Sequence, residues 1–343
     1  MSPRTQLAAA LGLAACLTAA GRADDAATAA YLRQKFQAAV TVDDSQPGKP
    51  VTAVELRVPF TDRDVWRLKG LGGLRRLTFN DSALTDAGLT DLKDLAKVEE
   101  LELIGLKITD AGMKCLKDMP ALRRLRLQGV GVADAGLRDL KDAAALQELT
   151  LTDLAVTDAG LRSLKDLPTL SRLRLGRLKT TEAGLAALAA VRTLQDLDLS
   201  YAPLTENAAA GLKGLSGLRA LSLDGTEVGD DGIKNLAGLK SLRELGLYET
   251  RATDAGVAHL KELKALQTLR LGATRVTDAG VKDLAGLSAL EELDLYRTHV
   301  TDAAIKDLKE LKRLKKLDLR LTDLTDGGVA ELKKALPECQ IEY

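Results

Sequence analysis

"TDAGLTDLKDLAKVEELELIGLKI", residues 85 to 108, changes its apolar spacing halfway along. Leu89, Leu92, Leu95 and Val98 stand three apart, one stripe of a helix, whereas Leu101 and Leu103 stand two apart, one face of a strand. The opening tetrapeptide Thr-Asp-Ala-Gly returns verbatim at 109, 157, 253 and 277. Rows of 24 residues laid from Thr61 align eleven complete copies, starting at 61, 85, 109, 133, 157, 181, 205, 229, 253, 277 and 301. A shortened twelfth row runs from 325 to 343. Row positions 5, 8, 11, 14, 17, 19 and 24 are apolar almost throughout. One helix and one short strand cannot bury such a stripe alone. Each row must therefore stack on the next, with parallel strands about 4.8 Å apart and helices behind them.

Composition agrees with a packed repeat. Of 343 residues 45% are apolar and only 3% aromatic, so the core is built from Leu, Ala, Val and Ile. The 49 basic residues are cancelled by 49 acidic ones, which gives no electrostatic reason to expect a nucleic acid or a membrane surface as partner. Arg4 precedes an apolar run from Leu7 to Ala20, too short to span a bilayer and suited to a secretory leader cleaved after Ala23. Within it Leu13 to Cys16, "LAAC", is similar to the bacterial lipobox and makes a lipid anchor on Cys16 the alternative. Outside that leader only Cys115 and Cys339 remain, and two cysteines make no disulfide framework and no zinc site.

Thr-Asp-Ala-Gly could serve as a carboxylate active site, but its place in the row argues otherwise. Thr85 precedes the helical stripe as an N-cap, and Asp86 sits in the first turn, where the helix dipole favours an acid. Leu84 and Leu89 have the spacing of a hydrophobic staple, repeated as Ile108 with Met113 and Val156 with Leu161. The glycine stands where a capping box would carry Glu, which predicts that a side chain there collides with the neighbouring row. An active site needs one constellation rather than a copy in every row. His259 and Cys115 share row position 7, a solvated helix flank with a partly exposed thiol, and His299 lies in a loop without a metal partner in view. No phosphate loop, zinc-protease helix or nucleophile elbow is present. Catalytic, cofactor and metal residues are all expected to be absent.

The "LxxLxL" strands, such as "LRRLRL" at 122 to 127 and "LQTLRL" at 266 to 271, resemble the leucine-rich repeat family over about residues 54 to 343. The nearest branch is the bacterial "TDAGL" type, similar to the cysteine-containing repeats of F-box proteins. The resemblance implies an α/β solenoid, a curved horseshoe with a parallel sheet on its concave face and α-helices on the convex one. Where such repeats carry Asn or Cys after the strand, this chain has Leu106, Val130, Leu154 and Leu178, then Thr226, Thr250, Thr274, Thr298 and Thr322. The expected organisation is a leader at 1 to 23, a helix, linker and capping strand at 24 to 60, eleven rows at 61 to 324, and a capping half-row at 325 to 343.

Row positions 16 and 18 face outward on the strand. Down the rows they read Glu100 and Glu102, Arg124 and Arg126, Glu148 and Thr150, Arg172 and Arg174, Asp196 and Asp198, an alternation that predicts a self-neutralising ladder. From the sixth row Tyr201, Tyr248 and Tyr296 follow the strand core, with Asp224, Glu249, Arg270, Arg297, Asp318 and Arg320 around them. Tyr and Arg are enriched at interface hot spots, so these nine residues form the candidate binding surface. The expectation is an exported monomer, periplasmic or extracellular, that binds an unidentified protein or other macromolecule through its concave face without catalysis. The alternatives are an envelope component anchored through Cys16 and, more weakly, a substrate-recognition subunit like the F-box relatives.

Overall fold

The computed structural model describes residues 25–57, 59–205 and 209–343, so the expected leader and Cys16 lie outside the described residues. The chain divides into two compact units, Met1–Gly131 and Val132–Tyr343. In the first, helix α1, Asp25–Phe36, precedes an antiparallel hairpin of β1, Ala39–Val42, and β2, Val51–Leu56. Strand β1 pairs with the edge of β2 that faces away from the rows. The Asp25 carboxylate accepts the Val51 N–H at 2.8 Å, and Arg33 donates to the Val40 carbonyl at 2.8 Å. Phe36, Phe60 and Phe79, the chain's three phenylalanines, stand ring to ring at 5.1 and 5.7 Å and plug this end. Large rings fill a space that no preceding row of leucines occupies.

Parallel strands follow: β3, Arg76–Asn80, β4, Glu100–Ile104, and β5, Arg124–Gln128. The second unit carries β6, Glu148–Thr152, β7, Arg172–Gly176, β8, Asp196–Asp198, β9, Ala220–Ser222, and β10, Glu244–Gly246. It ends with β11, Thr268–Arg270, β12, Glu292–Asp294, β13, Lys316–Asp318, and β14, Gln340–Glu342. Each of these is parallel to the next, in order. The core lies between sheet and helices: Leu89, Leu92, Val98, Leu101, Leu103 and Ile108 of the opening row are all fully buried.

The helical layer differs from the plain α-helix expected. Asp86–Thr90 is α-helical for little more than a turn and passes into a 3₁₀ stretch, Asp91–Asp94. Apolar residues exactly three apart would drift round an α-helix, but they stay on one edge of a helix with three residues per turn. The last row supports this cause. Its stripe, Val329, Leu332 and Leu336, is spaced three then four, and Asp326–Ala335 runs as ten residues of α-helix.

Thr85 caps its helix as expected, accepting the Ala87 N–H at 3.3 Å. The aspartate does more than meet a dipole. Asp86 reaches the following row, where one carboxylate oxygen accepts the Thr109 N–H at 2.8 Å and the other the Thr109 hydroxyl at 2.6 Å. Each cap threonine thus donates to the row behind and accepts from its own helix. The same hook joins Asp62 to Thr85, Asp134 to Thr157, Asp158 to Thr181 and Asp254 to Thr277. It also explains the glycine: a β-carbon on Gly112 would meet the Asp86 carboxylate, and one on Gly280 the Asp254 carboxylate. In the first row the glycine position is Asp64, which folds back onto the Thr61 N–H at 3.2 Å and hydroxyl at 2.9 Å.

The turn after each strand passes through a left-handed residue at row position 21, from Asp81 and Gly105 to Arg297 and Leu321. Two solutions then replace the absent asparagine ladder. In the early rows Leu106, Val130, Leu154 and Leu178 are simply buried. In the later ones the buried threonine donates its hydroxyl to the carbonyl three residues back, Thr226 to Leu223 at 2.6 Å and Thr298 to Leu295 at 2.6 Å.

Candidate functional site

Strand alternation sends positions 17 and 19 inward and 16 and 18 outward; on β4 Leu101 and Leu103 are buried while Glu100, Glu102 and Ile104 are half-buried. The register sets equal row positions side by side, Glu100 against Arg124 and Glu102 against Arg126. Files of like-numbered positions therefore run across the open face of each unit.

Within each unit the expected charge ladder forms at row position 16, whereas at position 18 of the first unit Arg126 donates to Gln128 at 2.6 Å instead of pairing with Glu102. Arg76 and Arg124 both reach the Glu100 carboxylate, at 2.7 and 2.9 Å. In the second unit Arg172 lies 2.9 Å from Glu148 and 3.7 Å from Asp196, and Arg174 lies 2.6 Å from Asp198. Burial by itself would raise the Glu100 carboxyl, but hydrogen bonds from Arg124 and Arg76 overcome it and hold the group below its usual value. Exposed pairs of this kind contribute up to about 1 kcal/mol each and secure register more than stability.

The tyrosines sort into two kinds. Tyr248 and Tyr296 occupy row position 20 two rows apart, and their rings stack with centroids 6.5 Å apart and planes at 25°. Gly272 holds that position in the row between; a β-carbon there would meet the Tyr248 ring and the Asp294 carboxylate. Tyr201 does not belong with them. It is one residue later in its row, in the left-handed conformation at φ 57°, 65% exposed, with its ring over Gly225. Glu249 and Arg297 share that left-handed position and are exposed, without an ion pair among the described residues.

The remaining candidates gather around the tyrosine pair. Arg270 lies 3.7 Å from Asp224, whose other carboxylate oxygen accepts the Tyr248 N–H at 2.8 Å. Arg320 donates to Asp318 at 3.0 Å, lies 3.2 Å from Glu342, and stands 5.7 Å over the Tyr296 ring. Asp294 escaped the sequence reading, although its outward position 18 was legible. It accepts the Tyr296 N–H at 2.8 Å, and burial together with repulsion from Asp318 raises its carboxyl above the usual range. Burial likewise raises the Tyr248 phenol, with Glu249 adding to it.

Cys115 corrects another expectation. Its thiol is buried, 6% exposed, donates to the Gly112 carbonyl at 3.0 Å, and is pushed up to about 12 by burial. That removes it from reactive chemistry at neutral pH. His259 is half-buried on the helical side, and His299 is exposed, 3.7 Å from Asp323. Among the described residues no group of three or more His, Cys, Asp or Glu is placed to hold a metal ion, and no helix is long and apolar enough to cross a membrane.

A family profile described as "Leucine Rich repeat" matches residues 217–237 and 313–333. An internalin (inlF) of Listeria monocytogenes is similar in structure over 93% of this chain and 94% of its own, with 20% identity and a TM-score of 0.59, a likeness of fold. Internalin C2 (inlC2) of the same organism shares 29% identity over 57% of this chain and 80% of its own, with a TM-score of 0.47. A leucine-rich repeat protein of Leptospira interrogans shares 17% identity over 81% of this chain and 92% of its own, at 0.37. No curated protein sequence matches the chain.

Proposed function

We infer that this chain, a leucine-rich repeat protein by its rows, its parallel sheet and its matched segments, is an exported, non-catalytic module that binds another protein through the open face of its second unit. Repeat stacks offer an extended surface for such binding. The observation that carries the reading is the Tyr248 and Tyr296 pair stacked over Gly272. Aromatic rings are nearly absent from this chain, and here two are spent on an outward face with a glycine held open between them. Rings of this kind anchor interfaces, because they bury much area at small entropic cost.

The double variant Tyr248→Ala/Tyr296→Ala tests it. The partner retained by the chain in affinity capture should bind at least about tenfold more weakly to the variant, with the thermal midpoint unchanged. Equal retention at equal stability would overturn the reading. Export rests on the apolar run from Leu7 to Ala20. Mass spectrometry of the chain from its native host should show a mature N-terminus after Ala23; a lipid-modified Cys16 at the terminus supports the anchored alternative, and an unprocessed Met1 removes both.

A further inference from the structure

Row position 16 carries a regular alternation that stops partway along the second unit. Arg76, Glu100 and Arg124 alternate in the first unit, and Glu148, Arg172 and Asp196 in the second. That order calls for a base on the next rung, where the residue is Ala220, and for a base again after Glu244, where it is Thr268. The register makes these true neighbours: Asp196, Ala220, Glu244, Thr268 and Glu292 pair in sequence across β8 to β12. Two bases are missing from an otherwise continuous file.

The surface follows that gap. A shallow depression of about 320 Å³ lies over Ala220, with Asp196 and Glu244 in its walls beside Glu148, Arg172 and Arg219. A second, of about 210 Å³, takes in Thr268, Glu292 and Asp294 together with Arg270, Lys316 and Arg320; Lys316 lies 3.3 Å from Glu292, so the open acid beside Thr268 is Glu244. Both carboxylates beside Ala220 are short of cations. Glu244 makes no ion pair among the described residues, and Asp196 has only Arg172 at 3.7 Å, which makes its closer contact of 2.9 Å to Glu148. Burial, with the nearby carboxylates of Glu244 and Asp198, raises Asp196 despite Arg172. Arg219 and Arg243 stand one residue before Ala220 and Glu244, are exposed, and form no ion pair with either acid.

We propose that this face docks a partner protein through two cationic side chains, arginine or lysine, which enter over Ala220 and Thr268 and complete the interrupted ladder. The proposal rests on the binding-face reading above and adds the partner's chemistry. The two vacancies are two strands apart, so the cations are about 10 Å apart. Each would lie between two carboxylates, as Arg172 lies between Glu148 and Asp196.

A fluorescent hexa-arginine peptide, followed by anisotropy with the full chain, is the probe. The chain should bind it, more weakly as salt rises. Ala220→Arg/Thr268→Arg fills both rungs from within and should weaken binding by on the order of tenfold or more with no fall in thermal midpoint. Glu244→Gln, which adds no bulk, should weaken it several-fold, roughly as expected for one lost charge contact. Absence of peptide binding, or equal binding by the filled variant, overturns the proposal. The captured partner separates this from the broader reading. If the tyrosine variant loses the partner and the filled variant keeps it, the cationic rungs fall while the binding face stands. If the filled variant loses both peptide and partner, the rungs are the docking points.

Discussion

Glu100 on β4 and Asp294 on β12 are half-buried carboxylates on outward positions of equivalent rows, yet their surroundings are opposite. Glu100 is ion-paired to both Arg76 and Arg124, whereas Asp294 accepts the Tyr296 N–H and stands between Asp318, which raises its carboxyl, and Arg270, which lowers it without forming an ion pair. Nothing in the scaffold accounts for this. The Asp86 hook to Thr109 and the Asp254 hook to Thr277 have the same 2.8 Å contact to the threonine N–H, and the leucine stripes are buried alike. The contrast teaches that inward positions answer to packing and are held constant, while outward positions are free to be neutralised or left open. Early strands use that freedom to neutralise themselves. Later ones pair some of their acids, Asp224 with Arg270, Glu292 with Lys316 and Asp318 with Arg320, and leave Glu244, a glycine gap and two rings.

The shared scaffold is the part of the contrast with the largest effect at stake. Asp86→Ala strips Thr109 of two hydrogen bonds, and Asp254→Ala strips Thr277 of two and the Gly280 N–H of one at 2.9 Å. Each should cost about 1 to 3 kcal/mol in urea unfolding, with the two values within about 1 kcal/mol of each other. A neutral result for either would show that the hook does not hold the rows.

The outward positions should differ in sign rather than size. At neutral pH Glu100→Gln should lower the thermal midpoint and Asp294→Asn should raise it, each by less than the equivalent of about 1 kcal/mol. Glu100 has its folded value below the ordinary 4.5, so its stabilisation is present above 4.5 and is lost as pH falls through the depressed value. Asp294 has its folded value above 3.8, so the fold bears the cost of its charge at neutral pH and recovers stability as pH falls through that raised value towards 3.8. The Asn variant should lose that recovery. Shifts of the same sign in both variants would erase the distinction between the closed and open faces.

Much of the architecture was legible because each row repeats its own instructions. The threonine caps, the glycine collision and the alternating ladder follow from positions within one row and its copy. The misreadings fall where a side chain acts outside its row. Asp86 looked like a dipole partner because its true partner, Thr109, is 23 residues on. Cys115 looked like a flank residue because its cover includes the Leu89 carbonyl of the preceding row, 3.4 Å away. Tyr201 looked like the other two because one residue of offset is invisible until the left-handed turn is placed.

What the amino-acid order determined by itself was the 24-residue register, the alternation of helix and strand, and the face on which each residue falls. These depend on periodicity along the chain, which local backbone geometry converts directly into direction. Only the tertiary structure decided which outward residues meet. The bond from Asp86 to Thr109, the stacking of Tyr248 on Tyr296 over Gly272 and the depressions at Ala220 and Thr268 arise from side chains a whole row or more apart. Their contacts are set by the stacking of strands, a distance that no single row contains.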